Sequence, residues 1–304
     1  MQDSLSLTVS VVIPAYNVEG YIGDAVGSAL HQTYPLEEIV CVDDGSTDRT
    51  LEVLRRLESQ HPERIQVLTG PNHGASAARN RGMSVTTGEY IQFLDADDIL
   101  LPKKVERDVD VLRGDRKSIL FGGYESFEDG QKVYECNTYV SESPWVCLTK
   151  QNFGHTSANL FRANAVKQAG GWDEQRPFNQ DYDLIARMLM EGSDVAFAHH
   201  KSTHVRSRED SISADWGEEM RAAQSKLDRD ILHHLRDSGV NEEYVAEAED
   251  YVFLKLRQLY RFNPRIAARL YREAFPEGHD PEVDRGNTAA YREIHRLFDF
   301  SVAE

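Results

Sequence analysis

Cysteine, basic charge and uninterrupted apolar sequence are all scarce in this chain, and each shortage excludes something. The three cysteines, Cys41, Cys136 and Cys147, cannot all pair and have no metal-binding spacing. A disulfide framework is therefore excluded, and a reducing cytoplasm is the expected location. The longest stretch without Asp, Glu, Lys or Arg, Ser4 to Val18, is too short to span a bilayer and is broken by Ser, Thr, Pro and Asn. Met1-Gln2-Asp3 lacks the positive start of a signal peptide. Lys and Arg number 34 against 51 Asp and Glu, a net charge of −17, so no nucleic-acid partner is expected. The phosphate-cradling glycine motifs are missing too. No G-x-G-x-x-G follows the first apolar run, and no G-x-x-x-x-G-K-[ST] occurs anywhere.

What is present is a folded composition, 40% apolar and 28% charged over 304 residues, with a clear rhythm in its first third. Val9–Ile13, Ile39–Val42, Ile65–Leu68 and Tyr90–Leu94 read as buried strands. Helical patterns over 21–32, from Ser46 or Thr47 onward, and over 75–85 separate them. This order predicts a parallel sheet covered by helices on both faces. The middle is less regular: strands over 118–124, 132–136 and 194–199, and helices over 163–169 and 181–191. From about Trp216 the chain reads as three or four helices broken at Gly239, Pro264 and Pro281.

Ligands of an open α/β sheet sit beyond the carboxyl ends of its strands. Three polar clusters fall at such ends: Pro14-Ala15-Tyr16-Asn17, Asp43-Asp44-Gly45-Ser46 and Asp95-Ala96-Asp97-Asp98. Asp95 and Asp97, one residue apart, can together hold a hard divalent cation such as Mg²⁺ or Mn²⁺, which keeps positions open for phosphate oxygens. The alternative is a turn that also caps the next helix.

The segments VSVVIPAYN (9–17), VDDGSTD (42–48), AARNRG (77–82) and GEYIQFLDADD (88–98), in this order and spacing, resemble the inverting glycosyltransferases of family 2. The resemblance is strong over about 7–112, moderate to about 215 and absent beyond. It implies the GT-A fold, a Rossmann-like, mostly parallel α/β sheet flanked by helices. A nucleotide half (about 1–112) and an acceptor half (about 113–215) would form one domain, followed by a helical C-terminal extension (216–304). It implies a nucleotide-sugar donor, UDP-linked by default, and a glycan or lipid-linked acceptor. Pro14, Ala15 and Tyr16 would line the nucleobase pocket, with Tyr16 offering a stacking face, and Asp44 would accept from base or ribose. Glu19 would reach the donor or serve as a first-turn helix residue, and Arg79 would approach the nucleotide or form a surface salt bridge. Asp95 would contact ribose or metal beside Ala96, Asp97 would be the main metal ligand, and Asp98 would support the following helix.

Where relatives carry Glu-Asp, this chain has Gln180-Asp181, which makes Asp181 the candidate general base and, equally, a helix N-cap. Trp172 would be an apolar platform for the acceptor sugar or a core tryptophan. Arg206 or Arg208 would pair with the diphosphate, or lie in an exposed linker. A sugar-nucleotide-binding protein without catalysis is the competing function. The tail adds one anomaly: 252–275 holds Lys255, Arg257, Arg261, Arg265, Arg269 and Arg272 but one acid, Glu273. That excess fits a helical pair with arginines paired to nearby acids, or a peripheral contact at the inner face of a membrane.

Overall fold

The computed structural model describes residues 7–128, 130–136, 143–207 and 217–276. They fall into two compact units, one of 1–147 with 151–211, the other of 148–150 with 212–304. The first unit opens with β1 (Val9–Ala15), α1 (Ile22–Leu30), β2 (Ile39–Asp43), α2 (Thr50–Gln60), β3 (Ile65–Thr69), α3 (Ala75–Met83) and β4 (Tyr90–Phe93). It continues with β5 (Ile99–Leu100), α4 (Lys104–Leu112), β6 (Ile119–Glu128), β7 (Gln131–Cys136) and α5 (Pro144–Thr149), whose last residues belong to the second unit. Then come β8 (Leu160–Arg162), α6 (Ala163–Gln168), α7 (Gln180–Met190) and β9 (Val195–Arg206).

One mixed sheet runs through the first unit in the order β3-β2-β1-β4-β8-β6-β9-β5, with β7 on β6. The β3-β2-β1-β4 portion is parallel throughout, as the four apolar runs predict. Its two faces can be read from residue parity. Val11, Ile13, Ile39 and Cys41 pack on Ile22, Ala25, Val26 and Ala29 of α1. Val40 and Val42 point the other way, onto Ala78 of α3. Helix α3 lies close because Gly82 has no side chain; a Cβ there would stand 2.4 Å from Val12 Cγ1. Each fully buried Val or Ile of this sandwich contributes about 1.5–3 kcal/mol.

Antiparallel pairing enters through β8, which joins β4 to β6, and through β5 on β9. These two strands, of three and two residues, and α5 have no counterpart in the sequence reading. Strand β9 runs to Arg206, well past the expected 199, because its polar second half is held by β6 and β5. Helix α4 carries a buried ion pair of its own, Lys104 Nζ to Asp108 Oδ2 at 2.6 Å. Lys104 also donates to Gln92 of β4, and His200 Nε2 of β9 lies 3.0 Å from Asp108 Oδ1. All three cysteines are buried thiols, and burial pushes that of Cys41 up to about 12, an unreactive state.

The second unit contains α8 (Glu218–Asp237), α9 (Glu242–Tyr260) and α10 (Pro264–Ala274). Gly239 takes φ +69 after α8, and Pro264 stands in the first turn of α10, where Asn263 Oδ1 accepts from Ile266 N. The third expected break, Pro281, lies outside the described residues. Among the described residues no helix is long and apolar enough to cross a membrane.

Candidate active site

The chain steps from β1 outward to β2 and β3, then returns to place β4 on the other side of β1. That reversal opens a crevice at the carboxyl ends of β1 and β4, and the polar clusters sit there. Tyr16 follows β1 with 48% of its surface exposed, beside half-buried Pro14 and buried Ala15. Asn17 adopts φ 52 and ties this loop to the next, its Oδ1 accepting from Thr47 N at 2.8 Å. Asp43 is buried and accepts from Thr69 Oγ1 and Ser46 N, so it shapes the turn. Asp44 accepts from His73 N at 2.9 Å and Gly74 N at 2.8 Å, which fixes the loop entering α3. A carboxylate has about four acceptor positions, so the Asp44 side chain keeps capacity for a further donor. Glu19 accepts from Arg49 N and Nε at the start of α2; those hydrogen bonds hold its carboxyl below the usual range.

Arg79 is the knot of the site. It is buried, not a surface residue. Its Nη2 donates to Asp95 Oδ1 at 2.7 Å, its Nη1 to Gln180 Oε1 at 3.0 Å, and its guanidinium lies 4.5 Å from the Trp172 ring centroid. Gln180 thus meets Arg79 as a neutral acceptor. Trp172 is 2% exposed and edge-on to Phe93 at 5.1 Å, with its backbone clamped by Asn80. The expected acceptor platform is therefore corrected: no face of this ring is open to a sugar, and it supports Arg79 instead.

The acidic run after β4 divides its tasks. Asp95 is half-buried; burial raises its carboxyl, but Arg79 and His155 outweigh that and hold it low. Asp97 is half-buried, and its carbonyl accepts from Arg206 Nε at 3.2 Å. Asp98 is buried and turns to the sheet rather than to the helix after it. Its Oδ2 accepts from Ser157 Oγ at 2.6 Å and its Oδ1 from Arg206 N at 3.0 Å, with His155 Nδ1 3.5 Å away. Burial pushes Asp98 up to about 7, Asp95 and Asp97 add to the rise, and His155 and Ser157 oppose it. His155, ringed by Asp98, Asp95 and Asp181, is raised despite its burial. Arg206 also lies over Tyr21, 4.7 Å from its ring. Arg208 lies outside the described residues.

Asp181 stands in the first turn of α7, one residue inside the helix, and is not its N-cap; that position is Asn179, at φ 54. Its Oδ1 accepts from Tyr182 N, and its Oδ2 lies 3.5 Å from Thr156 Oγ1. Asp183 is buried between Arg176 and Arg187, a structural ion pair.

Donor atoms of Asp95, Asp98 and His155 lie within 4.8 Å of one another. The sequence reading paired Asp95 with Asp97; in the fold the three-donor group draws on Asp98 and His155, and Asp97 is not part of it. These residues fit a divalent cation. Burial, with Asp95 and Asp97 beside it, raises the Asp98 carboxyl to about 7, and a bound cation would displace its proton and neutralise the excess charge. One imidazole among carboxylates suits Mn²⁺ better than Mg²⁺, which prefers oxygen. His155 was missed because no motif marks it. The available signal was the run from Gln151 to Phe161, free of charge yet rich in Asn, Thr and Ser, whose Thr156, Ser157 and Asn159 prove to be buried.

Known proteins agree with this architecture. The sequence profile described as "Glycosyl transferase family 2" matches residues 10–166. An uncharacterized glycosyltransferase of Rickettsia conorii is 32% identical over 187 residues, 58% of this chain and 30% of its own length. The chain thus spans under a third of that relative. Among solved structures, S. aureus TarS 1–349 in complex with UDP-GlcNAc superposes with a TM-score of 0.67 at 18% identity, covering 88% of this chain and 82% of that one. Mannosyltransferase PcManGT from Pyrobaculum calidifontis, in complex with GDP-Man and Mn²⁺, gives 0.58 at 18% identity, covering 97% and 85%. With its profile match spanning more than half the chain and its GT-A-like sheet, this protein belongs to glycosyl transferase family 2.

Proposed function

We propose that the chain transfers a sugar from a nucleotide-sugar donor to a hydroxyl of a glycan or lipid-linked acceptor, by one direct displacement that inverts the anomeric centre. The observation that carries this reading is the convergence of Asp95, Asp98, His155, Arg79 and Asp181 at one end of the sheet. Tyr16 offers the exposed ring a nucleobase can stack on, with Pro14 and Ala15 forming the floor. Asp44 has acceptor capacity for the base or ribose. A UDP-sugar is the default donor by family resemblance; the two structural neighbours were solved with UDP-GlcNAc and with GDP-Man.

Asp95, Asp98 and His155 would hold a divalent cation, with Asp97 adding negative charge near them. When bound, that ion supplies Lewis-acid neutralisation of the leaving group. Asp181 takes the proton of the attacking acceptor hydroxyl as the new bond forms, the general-base role. Arg79 keeps Asp95 ionised and, through Gln180, fixes the start of the helix that carries Asp181. Arg206 contributes positive charge at the edge of the crevice. No protein nucleophile is required, since one displacement completes the transfer.

The test is nucleoside diphosphate release from a panel of sugar nucleotides, with Mn²⁺, Mg²⁺ or a chelator, in wild type and Asp181→Asn. Expected are release with at least one donor, loss on chelation, and a fall of about 10²–10⁴-fold in kcat for Asp181→Asn with donor affinity retained. Absence of release with every donor, despite measurable nucleotide binding, would favour a non-catalytic binding protein. Full turnover in Asp181→Asn would remove that residue as base.

A further inference from the structure

The basic stretch of the helical unit resolves into two populations. Lys255 turns inward, its Nζ 3.1 Å from fully buried Asp228. Phe253, Leu256, Leu259 and Leu270 are buried as well, so most of the apolar residues interleaved with the arginines are consumed by packing. What remains outside is one face of α10. Arg265, Arg269 and Arg272 stand at i, i+4 and i+7, within about 60° of the helix circumference at 100° per residue. The buried residues Ala267, Leu270 and Ala274 occupy the opposite side. All three arginines are exposed. Arg269 has a loose contact to Glu273 at 3.9 Å, and among the described residues no ion pair engages Arg265 or Arg272. In the turn before α10, Arg261 is also exposed, and Phe262 keeps 56% of its surface open with Arg221 4.7 Å from its ring. On the preceding helix, Leu254 shares a face with Arg261, seven residues on, and is 37% exposed.

We propose that this arginine face, with Phe262 at its edge, docks on the anionic headgroup surface of a phospholipid membrane. Charge complementarity carries the argument: a chain of net charge −17 is repelled by such a surface except where basic side chains gather with few acids among them. The exposed Phe262 and Leu254 favour a membrane over a soluble polyanion, since an aromatic beside guanidinium groups suits the headgroup boundary. The contact is electrostatic adsorption with one aromatic inserted, since the apolar side of α10 is already buried. It is independent of the catalytic reading.

Co-sedimentation of the full chain with vesicles tests it, using phosphatidylcholine alone and phosphatidylcholine with about a third phosphatidylserine. Binding is expected to the anionic vesicles at low salt and to be lost near 0.5 M salt, where screening acts within roughly 4 Å. Each arginine near the surface is worth about fivefold in partitioning, so Arg265→Gln/Arg269→Gln/Arg272→Gln should lose on the order of a hundredfold. Gln keeps helix propensity, and an unchanged far-UV spectrum shows that the variant is folded. Phe262→Ser is expected to weaken binding without altering its salt dependence, and it keeps the test alive should the triple variant misfold. Absence of binding to anionic vesicles at low salt overturns the proposal. So does equal binding to neutral vesicles, or full binding by the folded triple variant. Retention by soluble polyphosphate without vesicle binding would assign the face to another partner and overturn it as well.

Discussion

Arg79→Met removes the one cation on which Asp95, Gln180 and Trp172 converge while leaving a side chain that fills the space over the indole. Stripping one partner from a buried ion pair costs about 3–5 kcal/mol. The Asp95 carboxylate keeps 26% exposure, so water recovers part of this and about 3 kcal/mol is the reasonable loss. The hydrogen bond to Gln180 adds about 1 kcal/mol. The stacking on Trp172 adds about another, of which the methionine sulfur returns roughly half. The sum is about 4.5 kcal/mol near pH 7, or about 9–18 °C in Tm for a domain of roughly 200 residues. The pH dependence is the sharper signature. Burial raises the Asp95 carboxyl, but Arg79 and His155 hold it below its ordinary 3.8 in the folded chain. Its ionised form therefore adds stability above 3.8 that is lost as pH falls through the lower folded value. Without Arg79 only the part due to His155 remains, so the gap between wild type and variant narrows as pH drops from about 5 toward 3. Urea unfolding across that range measures it. A gap that stays constant with pH, or one under about 1 kcal/mol at pH 7, would refute the assignment of Arg79 as the counter-charge of Asp95.

Two further outcomes follow from the same geometry. Asp98, pushed up to about 7 by burial, keeps in the folded chain a proton that the unfolded chain releases near its ordinary 3.8. Stability therefore falls as pH rises from about 4 through 7; Asp98→Asn should flatten this slope, and parallel pH profiles of the urea midpoint would contradict it. Gly82→Ala would press a methyl group 2.4 Å from Val12 Cγ1 and 3.2 Å from Val42 Cγ2, an overpacking cost of about 1–3 kcal/mol, and an unchanged Tm would show that α3 can retreat from the sheet.

The parallel half of the sheet was legible because its strands are short apolar runs with helical patterns between them, and parity alone sorts Val40 and Val42 from Ile39 and Cys41. The three polar clusters at the strand ends were legible for the same reason: a buried strand that stops at a polar residue announces its own end. What failed was orientation and long-range pairing. Asp98 was read as support for the helix after it, yet the pairing of β5 with β9 brings Arg206 N to its carboxylate from 108 residues away. Nothing local encodes that. Trp172 illustrates the converse, since a residue type that suits a sugar platform also suits a core, and only the Asn80 clamp and Phe93 decide. The role of Gln180 as acceptor for Arg79 likewise depends on a contact spanning 101 residues.

The long reach of these contacts has a consequence for the order in which the molecule assembles. Strands β1 to β4 and their helices close within the first hundred residues, and Arg79 meets Asp95 only sixteen residues away. Ser157 and Arg206 reach Asp98 across 59 and 108 residues, so closing those loops is entropically slower. Until they arrive, Asp98 lacks two of the donors that hold it in the finished fold. Until β8 pairs with it, the outer edge of β4 is one that another chain could join.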